Sequence, residues 1–240
     1  SIVPKEIIIV VPNVYAHRIP EITLPNLHFE IVDFKGQVEQ RAHGFKMAKY
    51  DFVMQLDDDI QLDTKCIEKL LRALKSLGQG HSVGPSFFFE DTSSTVYSMG
   101  VGMLELLTNI KAYLLSGALW GSKRMGTIGK NGVGFGYDFN RTIYEHNSTE
   151  WLAGGCILHY RSGLILENYF PFEGKAYGED LIHSFLLMKL GIKLYHVKSA
   201  ICYIERPDLN TENYSLYSDF KSRAYLNELK GIGKTRIYFW

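Results

Sequence analysis

Tyr50-Asp51-Phe52-Val53-Met54-Gln55-Leu56-Asp57-Asp58-Asp59 runs from a short apolar segment straight into three consecutive carboxylates. Phe52, Val53, Met54 and Leu56 have the pattern of a strand covered on both faces. On a continuing strand side chains alternate, so Asp57 and Asp59 are expected on one side and Asp58 on the other. Carboxylates this close repel, and something positive must offset the repulsion. At the carboxyl end of a strand in an α/β sheet, where ligands bind, a divalent cation meets that need. The alternative use of the same residues is an acidic loop that caps the next helix.

Upstream, Glu6 to Val11 (EIIIVV) is a β-branched run closed by Pro12-Asn13, and His28 to Phe34 (HFEIVDF) is a second strand closed by Lys35-Gly36. Residues 12 to 27 hold three prolines and read as loop with at most a short helix. Val38, Ala42, Phe45 and Ala48 give Gln37 to Ala48 one apolar side, as a helix requires. Downstream, Asp63 is placed to cap a helix through Leu77, with Gly78 at its end. Ile67, Leu70, Leu71 and Leu74 are its apolar face. Ser82 to Glu90 is a further strand. Strand, helix, strand, helix, strand implies an α/β fold with a parallel sheet.

The 240 residues suit one large domain or two small ones, and 46% hydrophobic content supplies a core. Lys+Arg and Asp+Glu are equal at 26 each, so no global basic field draws nucleic acid. Cys66, Cys156 and Cys202 are odd in number and lack C-x-x-C spacing, which argues against a disulfide framework or zinc cluster and for a reducing compartment. The triplets at Asn140, Asn147 and Asn213 arise often by chance and carry no weight in the cytosol. The sequence opens without a leader pattern, and Leu104 to Trp120 falls short of a membrane span, so a soluble, cytoplasmic protein is expected.

From Asp91 to Glu150 the chain is rich in glycine and aromatic residues with no clear period, the signature of a functional insertion or lid. Its apolar part, residues 101–120, is expected to cover an acceptor or to meet a partner or membrane surface. Trp151 to Arg161 (WLAGGCILHYR) reads as a tight turn entering a strand. Tyr177-Gly178-Glu179-Asp180 precedes an amphipathic helix over Leu181 to Leu190, two short strands follow at 192–196 and 199–204, and Tyr214 to Lys230 is a last helix. Asp180 has a bland reading as a helix cap. Paired with the first acidic cluster, it has a chemical one: a metal neutralises a diphosphate leaving group while a second carboxylate takes a proton from an attacking hydroxyl.

Four segments in order resemble family 2 inverting glycosyltransferases: Gln40-Arg41-Ala42-His43-Gly44, Phe52 to Leu62, Trp151 to Arg161, and Tyr177 to Leu181. The resemblance covers about residues 28 to 210. It implies a GT-A fold, a Rossmann-like nucleotide-diphospho-sugar transferase with a mixed, mainly parallel sheet flanked by helices. It also implies a single domain: residues 1–90 bind the nucleotide sugar, 91–150 form the insertion, 151–210 hold acceptor and base, and 211–240 form the final helix and tail. Asp57 and Asp59 would hold Mn²⁺ or Mg²⁺, Asp58 would face the sugar or ribose, and Arg41 would lie near the donor phosphates. Pro12 and Asn13 are candidates for the base pocket. Gly154 and Gly155 would let a sugar rest against backbone, Trp151 would wall that pocket, and Asp180 would be the catalytic base supported by Glu179. A UDP-, GDP- or dTDP-sugar would be the donor and a glycan or lipid-linked molecule the acceptor, in polysaccharide biosynthesis.

The chain departs from that pattern in three places. One strand precedes His28 where the family has two, so the first strand–helix unit is absent or belongs to a longer polypeptide. His43 replaces an asparagine. Ile204-Glu205 stands where a late metal-site histidine is expected, with Glu205 or His196 as substitutes. A glycosyltransferase-like binding or scaffolding domain without activity of its own is therefore the alternative. Other enzyme classes fit less: a nucleotidyltransferase needs a glycine-rich loop after its first strand, and a phosphatase built on Asp57 leaves Trp151 to Arg161 unexplained.

Overall fold

A computed structural model describes residues 2–92, 94–99, 102–206 and 212–232, with the side chains of 212–215 left aside. The expected turn at Pro207-Asp208 and the aromatic tail Thr235 to Trp240 lie outside the described residues.

The chain opens with β1 (Ile7–Pro12) and β2 (Leu27–Val32), a parallel pair in register from Ile7 opposite Leu27 to Pro12 opposite Val32. A single 3-10 turn, Asn13–Arg18, fills part of the proline-rich connection. Helix α1 (Gln37–Met47) buries Val38, Ala42 and Phe45, the spacing of one helical face. It starts after Gly36, whose φ of 150° and close approach to the Phe172 carbonyl exclude a larger residue: an added Cβ would lie 3.0 Å from that oxygen.

The main sheet has six strands, ordered β3-β7-β5-β8-β4 with β6 also on β8. They are β3 (Phe52–Leu56), β4 (Ile60–Leu62), β5 (His81–Phe89), β6 (His146–Thr149), β7 (Cys156–Tyr160) and β8 (Lys193–Ile204). Strands β3, β5 and β8 share one direction, and β7 runs antiparallel between β3 and β5. The sheet is thus mixed, and β3 and β5 are not neighbours despite the helix α2 (Cys66–Leu77) that joins them. Helix α2 starts later than Asp63, whose carboxylate accepts from the Lys65 N–H in the entry turn, and it ends at Gly78 as expected. Its Cys66, Leu70, Ala73 and Leu74 pack with Val83 and Phe87 of β5, Cys156 and Leu158 of β7, and Val197, Ala200 and Cys202 of β8. The three cysteines are buried free thiols in this one core.

Three expectations are corrected. Residues 192–196 and 199–204 are one strand, β8; the break in its pattern is a shift of register, with Pro85 opposite Val197 but Ser86 opposite Ile201. The extra residues bulge out of the ladder and interrupt the alternation. Leu56 is 48% exposed while Gln55 is buried, because β3 is an edge strand and is not covered on both faces. Residues 101–120 contain a regular helix, α3 (Gly102–Ser116). It buries only Asn109, Ala112 and Ser116, so its apolar residues surround it and give no one-sided period.

Helix α4 (Glu179–Lys189) lies on β8 and against α5 (Glu212–Leu229). Val38 of α1, Trp151, Leu181, Ile182 and Leu226 form the core beneath this junction. That core ties the two acidic segments together.

Candidate active site

The Asp57–Asp59 triplet does not continue β3. It is a turn between β3 and β4, so strict alternation does not apply: Asp57 is partly buried, while Asp58 and Asp59 are exposed. Asp57 is held from two sides. Its N–H donates to the Gly155 carbonyl at 2.9 Å, and its Oδ1 accepts from Arg41 Nη2 at 3.4 Å. The other terminal nitrogen, Arg41 Nη1, donates to Glu179 Oε1 at 2.5 Å, and the Tyr169 hydroxyl donates to Glu179 Oε2 at 2.5 Å. Arg41 therefore clamps a carboxylate from each acidic cluster. Both of its terminal nitrogens are engaged and its side chain is only 9% exposed, so Arg41 sits beneath the site rather than open to a donor phosphate.

The electrostatics follow from this packing. Burial works against the charge of Arg41, but Glu179, Tyr169 and Asp57 outweigh it and hold the guanidinium above its ordinary pKa. Burial raises the Asp57 carboxyl, Arg41 opposes that, and the Glu179 and Asp59 charges add to the rise. Asp180, partly exposed in the first turn of α4, is pushed up to about 7 by burial and then by Glu179, against hydrogen bonds from the Gly154 and Leu181 N–H groups. It does not cap α4: the helix starts from Gly178 with no side-chain cap, and Asp180 Oδ1 accepts from the adjacent Leu181 N–H at 3.0 Å.

The turn Ala153–Cys156 joins the halves. Gln55 donates its side-chain amide to the Gly154 carbonyl. A Cβ on Gly154 would lie 2.8 Å from Glu179 Oε1 and 3.3 Å from Asp180 Cβ, and one on Gly155 would lie 3.0 Å from Ile60 Cδ1. Glycine is required here for close approach of backbone to carboxylate, whatever else rests there. Trp151, expected as a pocket wall, is instead buried below the turn; its indole N–H donates to the Phe135 carbonyl and Tyr97 packs edge-on against it.

Asn13 lies at the end of β1, after the buried Pro12, and donates to Asp33 Oδ1 at 3.2 Å across the ends of the parallel pair. His196, one of the two substitutes for the late histidine, is buried edge-on against the stacked Tyr137 and Phe139 rings, its Nδ1–H donates to the Pro85 carbonyl at 3.2 Å, and burial lowers its pKa to about 4. Glu205 is exposed and directly follows Ile204, the partner of Ile60. Three site residues carried no motif. Tyr169 lies in an irregular loop, Lys175 places Nζ 3.8 Å from Asp59 Oδ2, and Asp33 follows β2. Only the acidic ending of the second strand offered a signal for Asp33.

Four carboxylates, Asp57, Asp59, Glu179 and Asp180, meet two cations, Arg41 and Lys175. No group of three or more His, Cys, Asp or Glu side chains among the described residues is arranged to hold a metal ion. The donor set fits a hard cation bound by one or two carboxylates that takes its other ligands from phosphate and water, the mode of Mg²⁺ at phosphate substrates. It does not fit a closed protein cage. A cleft of about 550 Å³ between Met125–Thr127, Ser148–Glu150 and Met188–Leu194 shares no residue with this cluster. It contains none of the paired carboxylates, so the acidic junction is the better candidate for chemistry.

Residues 22–126 match the model of Glycosyl transferase family 2. Among solved structures, the crystal structure of GalNAc-T7 with UDP, GalNAc and Mn2+ superposes with a TM-score of 0.56 at 11% identity. The match covers 87% of this chain and 38% of that one, so the chain spans well under half the length of that relative. No curated protein sequence matches the chain. The mixed sheet, its flanking helices and this superposition are those of the GT-A glycosyltransferase fold.

Proposed function

We propose that this chain, whose residues 22–126 match Glycosyl transferase family 2 and whose fold is GT-A, moves a sugar from a nucleotide-sugar donor to a hydroxyl of a glycan or lipid-linked acceptor with inversion. The observation that carries this reading is the clamp: Arg41 joins Asp57 to Glu179 and thereby sets Asp180 beside the acidic turn. In the proposed step, Asp180 in its ionised form takes the proton of the acceptor hydroxyl. That oxygen then bonds to the anomeric carbon from the face opposite the diphosphate. The bond from that carbon to the phosphate oxygen breaks, and its electron pair leaves with the nucleoside diphosphate.

Each residue has a part. Burial, and after it the neighbouring Glu179 charge, keeps Asp180 basic enough to accept a proton near neutrality, because both disfavour its charged form. The bare backbone of Gly154 lets Glu179 and Asp180 pack directly against the turn, and that of Gly155 lets Ile60 do so. Asp57 and Asp59 would hold a divalent cation, and Asp58 and Asn13 would meet the rest of the donor. The cation, when bound, neutralises the charge that develops on the leaving diphosphate. The solved relative was crystallised with UDP and Mn²⁺, which supports a nucleotide and a metal of that kind here.

Calorimetry with UDP, GDP and dTDP, with and without Mn²⁺, followed by a hydrolysis screen over the matching nucleotide sugars, tests the reading. One diphosphate binding in a metal-dependent way and slow hydrolysis of its sugar conjugate are expected. Binding of none, with or without metal, would overturn the enzymatic reading in favour of a scaffolding domain.

A further inference from the structure

Helix α3 is built inside out. The stripe it turns toward the protein is polar or small: Glu105 pairs with Arg141 at 2.8 Å, Asn109 Oδ1 accepts from Arg124 and from the Gly121 N–H, and Ala112 and Ser116 complete it. Its outward surface carries Met103, Leu104, Leu106, Leu107, Leu114 and Leu115, with Met103 71% and Leu114 59% exposed. Beyond its end, Leu119 and Trp120 are also exposed, and the Tyr113 and Trp120 rings meet edge-on at 6.5 Å. Contiguous exposed apolar surface on this scale marks a docking face.

Charge says what covers it. The acidic residue of α3, Glu105, is turned inward onto Arg141, while Lys111, Lys123 and Lys130 are exposed around the apolar surface. The face therefore presents apolar side chains, two aromatic rings with polar edges, and a positive rim. Thr108, the polar residue among the leucines, donates its hydroxyl back to the Leu104 carbonyl at 2.7 Å and asks nothing of a partner. Fifteen residues of helix rise about 22 Å, less than the roughly 30 Å of a hydrocarbon core, so α3 can lie in an interface but not cross it. Among the described residues no helix is long and apolar enough to cross.

We propose that α3 and the Leu119-Trp120 segment rest in the surface of a bilayer containing anionic phospholipid, with Lys111, Lys123 and Lys130 at the headgroups. Lysine stems lie along apolar surface while their ammonium groups reach the phosphates. The proposal stands independently of the transfer reaction, since it rests on no residue of the carboxylate site.

Flotation of the full chain with phosphatidylcholine vesicles, and with vesicles carrying 30% phosphatidylglycerol, tests it. Binding to the anionic vesicles is expected on the order of tenfold or more above the neutral ones. It should come with a blue shift of tryptophan emission that Trp120→Ala removes. Leu107→Ser with Leu114→Ser should lower binding on the order of tenfold or more to both compositions. Lys111→Glu with Lys123→Glu should lower it for anionic vesicles alone. All five substituted residues are exposed, and unchanged circular dichroism shows that each variant keeps its fold. Failure to float with either composition, or flotation that the leucine variants leave intact, would overturn the proposal. So would a dimer that Leu107→Ser with Leu114→Ser dissociates while vesicles are ignored, which assigns the face to a second copy.

Discussion

The carboxylate junction and helix α3 are opposite solutions to the same problem. At the junction, charges lie inside and are met within the chain: Arg41 by Glu179 and Asp57, and Glu179 also by Tyr169. On α3, most apolar side chains lie outside, while Glu105 and Asn109 are turned in and paired. An inward charge has to find its partner during folding, or it costs several kcal/mol. An outward leucine costs the folded chain little, because it is as wet unfolded as folded. The junction therefore couples function to stability, and α3 separates them.

The comparison can be broken at several points. Replacing the base, Asp180→Asn, is expected to lower kcat by about 10²- to 10⁴-fold while donor affinity changes little, because only proton removal is lost. Steady-state kinetics beside calorimetry reads both, and full activity would dismiss Asp180. Arg41→Met leaves the Glu179 carboxylate buried at 4% side-chain exposure without its cation, and should destabilise by about 3–5 kcal/mol in urea unfolding. Adding Glu179→Gln should restore part of that loss, since the two share one interaction; strictly additive losses would deny the clamp. Tyr169→Phe removes a hydrogen bond to a buried carboxylate and should cost about 1.5–3 kcal/mol by the same measurement.

A pH series sharpens the same point. Asp180 has its folded pKa raised to about 7 from an ordinary value near 4, so the folded state holds its proton more tightly than the unfolded one. That contribution is fully present below about pH 4 and is lost as pH rises through about 7. Asp180→Asn, which never ionises, should therefore gain on the parent in melting temperature between pH 4 and 8. A constant gap would contradict the raised value. The rate should move the other way, rising through about pH 7 as the base ionises. The smallest effect is on α3: Leu107→Ser should shift stability by no more than about 0.5 kcal/mol, where Leu70→Ala in the core should cost about 2–5 kcal/mol.

The sequence made the first half of the fold legible because its elements obey local rules. Gln37 to Met47 shows its buried face at helical spacing, and β1, β2 and β5 are apolar runs bounded by Pro, Gly or acidic residues. It did not show that β7 enters between β3 and β5, because pairing order is fixed by contacts far apart in the chain, such as Phe52 with Tyr160 and Ser82 with His159. Helix α3 was hidden for the opposite reason to a weak signal: apolar residues on nearly every side leave no period to find. At the site, the two acidic motifs and Arg41 were readable, and the structure brings Arg41, Asp57 and Glu179 into contact. Tyr169 and Lys175 were not, since each comes from irregular chain whose position is set only by what it packs against. The resemblance implies Trp151 as a pocket wall, and here its volume fills the core below the turn.

Arg41 has a consequence for the order in which this molecule is completed. A cluster of carboxylates that relied on a captured ion for neutralisation would have to be built and loaded together, and would come apart when the ion was scarce. Here one positive charge is covalently part of the chain and is in place as soon as α1 docks, with both acidic segments already drawn to it. The protein can thus mature with empty hands, and hold its acidic turn in shape until a ligand arrives.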